Sequence, residues 1–236
     1  MPNDPPAVIF DMDGVLIDSY RAHLQSWQEV AREEGLKITE KQFAATFGKT
    51  SRESIPWLWG DRHFTEAQIQ DFDHRKEAAF RRIITAQFPV MPGVRELLDS
   101  LHEAGFLLAI GSSGPPANVD LVLDKLGIRP LLSAVVTGAD VTRGKPDPQV
   151  FLTAAQRLGV AADRCVVVED AALGVEAAHA AGMKAIGLAS TGRTRPELAA
   201  AELVVDRLDE ITPATVRSLI FLPRKSQSRR GDSAVS

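Results

Sequence analysis

The sequence predicts an α/β fold in which a doubly wound parallel sheet carries an all-helical segment inserted after its first strand. Three observations predict this fold. Residues 7–10 form a short apolar run, residues 19–88 show only helical periodicity, and from Met91 onward helical stretches alternate with short apolar runs. Residues 1–18 and 89–223 therefore form the predicted α/β core, and residues 19–88 form a helical cap.

The first predicted strand, residues 7–10, is apolar and β-branched in its middle, and it ends at a pair of acids. Because residues two apart in an extended chain point to the same side, Asp11 and Asp13 can face one pocket while Met12 packs away from it. Gly14 permits a turn or the close approach of a ligand. Taken alone, the motif also fits a strand that ends in a solvated acidic turn.

The cap is predicted to contain four helical stretches. They run from Asp18 to a stop at Gly35, over residues 39–47, over residues 52–58, and from an N-cap at Thr65 toward Phe88. An insertion that leaves the sheet just past Asp13 must lie over the carboxyl edge of the strands, where doubly wound sheets bind ligands. The cap is therefore a candidate lid.

The alternation after Met91 predicts five further strands with helices between them. The strands are predicted at residues 106–110, 134–137, 165–168, 185–188 and 203–205. The helices are predicted to follow Pro92, Pro115, Asp147, Ala171 and Arg195.

Composition and charge exclude several classes of partner. The formal charge of −4 gives no basic field that would recruit nucleic acid, so a small diffusible partner fits better. No apolar stretch approaches the roughly 20 residues that span a bilayer, and no secretion signal is evident, so we expect a cytoplasmic protein without a membrane partner. Cys165 lies in an apolar run and is expected to be a buried structural thiol. Residues 224–236 are expected to form a disordered tail, or alternatively a basic docking arm; oligomeric state is not indicated.

Three other predicted turns carry polar groups. Residues 111–114 follow a strand and leave hydroxyls and N–H groups free beside a helix start, a candidate anion cradle. Lys145 lies in the turn Gly-Lys-Pro-Asp-Pro, just before a helix. Glu169 and Asp170 end a buried strand, where acids are costly unless they are paired or bind a cation. Each feature alone also fits an ordinary turn, with a solvated lysine in the second case.

Taken in chain order, the Asp-Met-Asp motif, Ser112, Lys145 and the Glu169-Asp170 pair resemble the haloacid dehalogenase superfamily, with its Rossmann-like core. The resemblance covers residues 7–206, and the segments GKPDP and VVVEDAALGVEAAHAAGM resemble its phosphatase and β-phosphoglucomutase-like branch. It implies phosphoryl transfer. The nucleophile that forms an aspartyl phosphate would be Asp11, and the general acid and base would be Asp13, which must be protonated to serve a leaving alkoxide.

The resemblance also implies roles for the other polar groups. Mg²⁺ would be held by Asp11, Asp170 and the carbonyl of Asp13, with Glu169 close by. Lys145 would hold phosphoryl oxygens and pair with the acids.

The turn after the second strand would complete the phosphate site. Ser112 and the N–H of Ser113 would bind the remaining phosphoryl oxygen, and Gly114 lies in the same turn.

Three cap residues bear on substrate choice. His23 lies ten residues beyond Asp13, and in similar proteins a histidine at the matching position helps control that acid. The segment with Lys49 and Arg52 resembles one that grips the distal part of the substrate. These points favour a sugar phosphate. The alternatives are that His23 and Trp27 only pack the cap and that Lys49 and Arg52 are solvated.

One segment departs from the mutases of this branch. Where they carry a Lys-Asn pair after the serine motif to hold a second phosphate, this chain has Pro115 and Pro116, which offer no side-chain donor. Arg82 or Lys49 could compensate. We therefore expect a Mg²⁺-dependent phosphatase that acts on a small phosphorylated metabolite. A β-phosphoglucomutase-type enzyme is the alternative, and a non-catalytic phosphometabolite sensor is the remote one.

Overall fold

The structure, a computed structural model, describes residues 5–47, 50–60 and 62–221. Within these residues a parallel sheet of six strands runs in the order β3-β2-β1-β4-β5-β6. The strands are β1 (Ala7–Phe10), β2 (Leu107–Gly111), β3 (Ala134–Val136), β4 (Cys165–Glu169), β5 (Lys184–Leu188) and β6 (Leu203–Val205). The predicted fold class is confirmed, and the predicted strands differ from the observed ones by at most one residue at either end.

Helices form the cap and pack on the two faces of the sheet. In the cap they are α1 (Tyr20–Glu33), α2 (Glu40–Ala44), α3 (Ser51–Trp59) and α4 (Glu66–Ala86). In the remainder they are α5 (Val94–Glu103), α6 (Pro116–Leu126), α7 (Gln149–Leu158), α8 (Ala172–Ala180) and α9 (Pro213–Phe221). Two apolar layers pack on opposite faces of the sheet, one around Phe10 and Val168 and the other around Ile9 and Val167, as the alternation of side chains along a strand requires.

The strand register brings three strand ends together. Phe10 of β1 lies beside Ile110 of β2 and Val168 of β4, so the residues that follow these strands meet at one edge. The backbone N–H of Asp11 donates to the carbonyl of Val168 at 3.0 Å, and that of Ser112 donates to Val136 at 3.0 Å. The central position of β1 therefore places Asp11 between the other two strand ends.

The cap has an apolar core of its own. Within the described residues this core contains side chains of the cap alone, among them Tyr20, Trp27, Phe43, Trp59 and Phe72. Helices α2, α3 and α4 each begin at a threonine capping box, which satisfies the first backbone N–H groups of a helix. The N-cap predicted at Thr65 is confirmed.

Two adjacent segments join the cap to the sheet. Ile17 and Val90 form an antiparallel bridge, the N–H of Asp18 donates to Pro89 at 2.8 Å, and that of Met91 donates to Leu16 at 3.0 Å. The chain thus leaves and re-enters the α/β part at one place, next to Asp13.

Two helical predictions needed correction. Residues 195–198 form a single 3₁₀ turn rather than an α-helix, because few residues remain before the chain must enter β6 at Leu203. Helix α9 was not predicted, because its sequence shows little amphipathic pattern and buries only Val216 and Leu219. Lys49 and the predicted tail, residues 224–236, lie outside the described residues.

Cys165 is fully buried, and burial raises the pKa of its thiol to about 12. The thiolate, which is the nucleophilic form, is therefore scarce at neutral pH, as the structural interpretation of this residue expects. In the part of the chain that the structure describes, no helix is both long enough and apolar enough to cross a membrane.

Candidate active site

Three buried acids meet at the carboxyl edge of the sheet. Asp11, Glu169 and Asp170 are 7%, 1% and 3% exposed, and each offers a carboxylate oxygen within 4.8 Å of the other two. The strand register accounts for this convergence, since Asp11 follows β1 while Glu169 ends β4. Three carboxylates at this depth repel one another, so the site is stable only if cations balance them.

Lys145 is the cation that touches two of these acids. Its Nζ donates to Asp11 Oδ1 at 2.6 Å and to Glu169 Oε1, and it lies 4.9 Å from the centroid of the Phe151 ring. Burial alone would lower the pKa of Lys145, but the two carboxylates outweigh it and raise that pKa. The lysine is therefore held as an ammonium, and the structure brings it where the sequence analysis expects it.

Burial has the largest influence on the pKa of Asp11, one of the two acids that Lys145 contacts. It raises the pKa of Asp11 to about 7, helped by the nearby charges of Glu169 and Asp13 and opposed by Lys145. Asp11 would be a poor nucleophile in its protonated form. A further cation at the site would favour the ionised form.

Asp170 is the acid with an unused oxygen. Its Oδ2 is buried and has no hydrogen-bond partner among the described residues. Burial, followed by the charge of Glu169, raises the pKa of Asp170 well above its usual value. An orphaned carboxylate oxygen beside two other acids is the arrangement expected of a cation ligand.

Gly14 makes room for that carboxylate. Its φ is +78°, and a Cβ built there would lie 2.1 Å from Asp170 Oδ2. Gly174 does the same for Glu169, whose Oε1 lies 1.9 Å from the place of its Cβ. The turn predicted at Gly14 is present, and the group that approaches this glycine in the structure is the carboxylate of Asp170.

The turn after β2 lies beside Asp13. Ser112 is buried, and its Oγ accepts a hydrogen bond from the N–H of Gly114 at 3.0 Å. A Cβ on Gly114 would lie 3.2 Å from Ser112 Oγ and 3.9 Å from Asp13 Oδ2. The side chain of Ser113 is exposed, and its carbonyl oxygen packs against Gly138. Ser112 and Gly114 are thus brought toward the acids, and the predicted role of the Ser113 N–H in binding a phosphoryl oxygen stays a prediction.

His23 connects Asp13 to a lysine that the sequence analysis missed. His23 Nε2 lies 3.1 Å from Asp13 Oδ1, and Lys76 Nζ lies 3.0 Å from His23 Nδ1. Since an ammonium can only donate, Nδ1 accepts from Lys76 and Nε2 carries the proton that is donated to Asp13. Burial pushes the pKa of Asp13 upward, but its interaction with His23 outweighs burial and lowers the pKa.

The same chain of contacts continues to the sheet side of the molecule. Lys76 Nζ donates to Glu77 Oε1 at 2.7 Å, Asn118 Nδ2 donates to Glu77 Oε2 at 2.6 Å, and Arg81 Nη1 donates to Asn118 Oδ1 at 2.8 Å. Asn118 belongs to α6, so this buried network joins the cap to the sheet. One signal for Lys76 is present in the sequence: it lies between Phe72 and Phe80 at four-residue spacing, on an otherwise apolar helix face.

Three other cap candidates make contacts with further residues of the cap. Arg52 pairs with Glu66 in an exposed salt bridge, and Arg82 pairs with Glu29. Trp27 packs edge-on against Trp59 inside the cap, 5.9 Å between ring centroids. The predicted roles of Arg52 and Lys49 in gripping a substrate stay predictions.

Comparison with known proteins agrees with this geometry. Residues 5–182 match the haloacid dehalogenase-like hydrolase family. The chain is 32% identical over 212 residues to β-phosphoglucomutase of Bacillus subtilis (strain 168), which covers 87% of this chain and 91% of the relative. It is 37% identical over 211 residues to hexitol phosphatase A of Escherichia coli (strain K12), and the match covers 86% of this chain and 92% of that relative. The crystal structure of β-phosphoglucomutase from Clostridium difficile superposes with a TM-score of 0.82 at 25% identity, over 92% of this chain and 97% of that one. The chain therefore belongs to the haloacid dehalogenase-like hydrolase family.

Proposed function

We propose that this protein is a Mg²⁺-dependent phosphatase that hydrolyses a small phosphorylated metabolite through an aspartyl phosphate on Asp11. The observation that carries the proposal is the 2.6 Å contact of Asp11 with Lys145, beside Glu169 and Asp170. A carboxylate that attacks a phosphate is repelled by it, so the site needs positive charge in place before the reaction. The relatives named hexitol phosphatase A and β-phosphoglucomutase support a phosphorylated sugar or sugar alcohol as the substrate class.

The proposed reaction has two steps. In the first, a carboxylate oxygen of Asp11 attacks phosphorus, the bond from phosphorus to the substrate oxygen breaks, and the leaving alkoxide takes a proton from Asp13. In the second, Asp13 removes a proton from water, which attacks the phosphorus and releases phosphate and free Asp11. The hydrogen bond from His23 favours the ionised Asp13 that the second step needs. Protonation of Asp13 for the first step therefore requires that bond to weaken.

The donor set fits Mg²⁺, which prefers oxygen ligands. Asp11 and Asp170, together with the backbone carbonyl of Asp13, would hold the ion, with Glu169 close by. The buried Oδ2 of Asp170, which has no hydrogen-bond partner among the described residues, supports this assignment. When bound, the ion would neutralise the acids and the developing charge on the phosphoryl oxygens.

We also propose that residues 19–88 act as the lid of this site and that residues 1–18 and 89–223 form the catalytic core. The separate apolar core of the cap and its paired connections to the sheet support this division. A close approach of the cap to the loop before Lys145 supports closure of the lid: a Cβ built on Gly144 would lie 3.6 Å from Thr50 Cγ2 of the cap.

Hydrolysis is favoured over isomerisation by the segment after the serine motif. Pro115 caps α6 and Pro116 opens it, so this segment offers no side-chain donor to a second phosphate. Arg82 is engaged with Glu29 on an exposed face of the cap. A mutase must hold a bisphosphate in two orientations, so it needs that second grip. The mutase remains the second candidate because one relative is named β-phosphoglucomutase.

A panel of phosphorylated sugars and sugar alcohols tests the proposal directly. We expect Mg²⁺-dependent release of phosphate from at least one of them, abolished by a chelator and restored by Mg²⁺. No turnover of any compound would contradict the proposal and leave the non-catalytic sensor. Incubation with β-glucose 1-phosphate and a trace of the bisphosphate separates the two enzymes, because formation of the 6-phosphate without free phosphate would identify a mutase.

The Lys76 network predicts a kinetic defect in the second step. Without Lys76, His23 loses the partner that orients it toward Asp13, so the bond that keeps Asp13 ionised to accept a proton from water should weaken. We expect Lys76→Met to lower kcat about a hundredfold, a typical share for general acid–base catalysis. Because an alkyl and an aryl phosphate share this step, both should fall to the same low kcat, and the aryl phosphate should show a burst of released aryl alcohol that matches the enzyme concentration.

Arg75→Met provides the matched control, since Arg75 is the preceding cation on α4 and pairs with Glu33 and Glu34 at the surface. It should leave kcat unchanged for both substrates. A loss in Lys76→Met without a burst of aryl alcohol would show that the lysine only stabilises the cap.

A further inference from the structure

Arg193 lies where the cap, the loop after β5 and the acid cluster meet. Its Cζ lies 4.7 Å from the centroid of the Phe47 ring, a cation–π contact with the cap. Its Nε lies 3.5 Å from Asp170 Oδ2. The side chain is 15% exposed, so a single arginine touches both the cap and the acid with the unused oxygen.

The loop that carries Arg193 is packed against the cap at further points. Gly192 lies so close to Tyr20 that a Cβ would be 3.0 Å from its ring. The hydroxyl of Thr191 donates to Asp18 Oδ2 at 2.6 Å. The backbone around Arg193 is therefore held against the cap by the neighbouring residues of its loop, so the position of Arg193 does not depend on its side chain alone.

Arg193 and Asp170 form an ion pair without a hydrogen bond between them. Both Arg193 Nε and Asp170 Oδ2 are buried, and neither makes a hydrogen bond with any described residue. Oxygen ligands approach Mg²⁺ to about 2.1 Å, much closer than the guanidinium lies. A divalent ion at Asp170 would therefore replace Arg193 as the main charge partner of this carboxylate and would repel the guanidinium.

We propose that Arg193 couples the metal site to the position of the cap, because its guanidinium balances Asp170 in the metal-free enzyme while it holds Phe47. Binding of Mg²⁺ weakens this link and loosens the cap around Phe47. The inference rests on the Mg²⁺ site of the proposed function. Arg193 acts here as a positioning residue, and it lowers the affinity of the site for the metal.

Linkage makes the coupling reciprocal: the factor by which Mg²⁺ loosens the Arg193 contact is the factor by which that contact weakens Mg²⁺ binding. Both sides can be measured without substrate. Calorimetric titration with Mg²⁺ gives the affinity, and hydrogen exchange of peptides within residues 40–47 reports the opening of this part of the cap.

We expect Arg193→Gln to bind Mg²⁺ at least about threefold more tightly than the wild type, because a nearby positive charge is removed. In the wild type, Mg²⁺ should speed hydrogen exchange in residues 40–47. In Arg193→Gln that exchange should already be faster and should not respond to Mg²⁺. Arg193→Lys keeps the charge without the planar stacking group, so its hydrogen exchange should be faster than that of the wild type, and its Mg²⁺ affinity should lie between those of the wild type and Arg193→Gln.

Arg195→Gln is the matched control. Arg195 lies in the same loop but binds Asp206 and the carbonyl of Val204, away from Asp170. Its Mg²⁺ affinity should equal that of the wild type. Unchanged or weaker Mg²⁺ binding by Arg193→Gln, or exchange that still responds to Mg²⁺, would overturn the inference alone. A wild type that binds no Mg²⁺ would overturn the metal site and the inference with it.

Discussion

Asp11→Asn is expected to slow phosphate release about a thousandfold or more, because the amide oxygen cannot form the aspartyl phosphate. The protein should stay folded, since asparagine has nearly the volume of aspartate and Lys145 keeps its bond to Glu169. Burial already disfavours a charge at this position, raising the pKa of Asp11 to about 7, so loss of the charge is not costly to the fold. Initial rates at saturating Mg²⁺ and substrate, together with the circular dichroism spectrum, measure both expectations.

Asp99→Asn is a matched control for this variant. Asp99 is a surface aspartate that pairs with Arg95 one turn earlier on α5. It should turn over substrate at the wild-type rate. If Asp11→Asn kept a tenth of the wild-type rate after contaminating activity had been excluded, Asp11 would not be the nucleophile.

Gly14→Ala is expected to destabilise the protein and to abolish its response to Mg²⁺. The left-handed φ of +78° costs an alanine about 1 kcal/mol, and the new Cβ would also lie 2.1 Å from Asp170 Oδ2. Asp170 must move, and its place beside Asp11 and Glu169 is lost. Denaturant unfolding with and without Mg²⁺ shows both effects, since an ion that binds only the folded state raises the free energy of unfolding.

Gly35→Ala separates the two causes. Gly35 has a similar φ of +70°, but nothing lies within 4 Å of the place of its Cβ. It should lose only the backbone contribution, about 1 kcal/mol, and should be stabilised by Mg²⁺ like the wild type. Equal unfolding midpoints for the two variants, with the same response to Mg²⁺, would contradict the role given to Gly14.

Local sequence predicted the sheet and the acids because both depend on short-range patterns. Each strand is a short apolar run, and polar groups at the carboxyl ends of parallel strands must share one edge. The positions of Asp11, Ser112 and Glu169 follow from that rule and from the register of β1 with its two neighbours. The superfamily resemblance is confirmed by the match over residues 5–182.

The contacts of Lys76 and Arg193 could not be predicted in this way. Periodicity places Lys76 on the apolar face of α4, but its bond to His23 depends on how α4 packs on α1. Arg193 lies in an irregular loop, where no pattern constrains the side chain. Lys76 contacts other helices and residues of the cap, and Arg193 contacts both the cap and Asp170; such contacts are set by tertiary packing rather than by local sequence.

The stereochemical course at phosphorus tests the account most directly. A substrate with a chiral phosphorothioate, hydrolysed in water enriched in heavy oxygen, reports whether one or two in-line displacements occur, because each inverts the configuration. Attack by Asp11 followed by attack of water predicts net retention. Net inversion would show that water attacks the substrate directly, and the central role given to Asp11 would then be wrong.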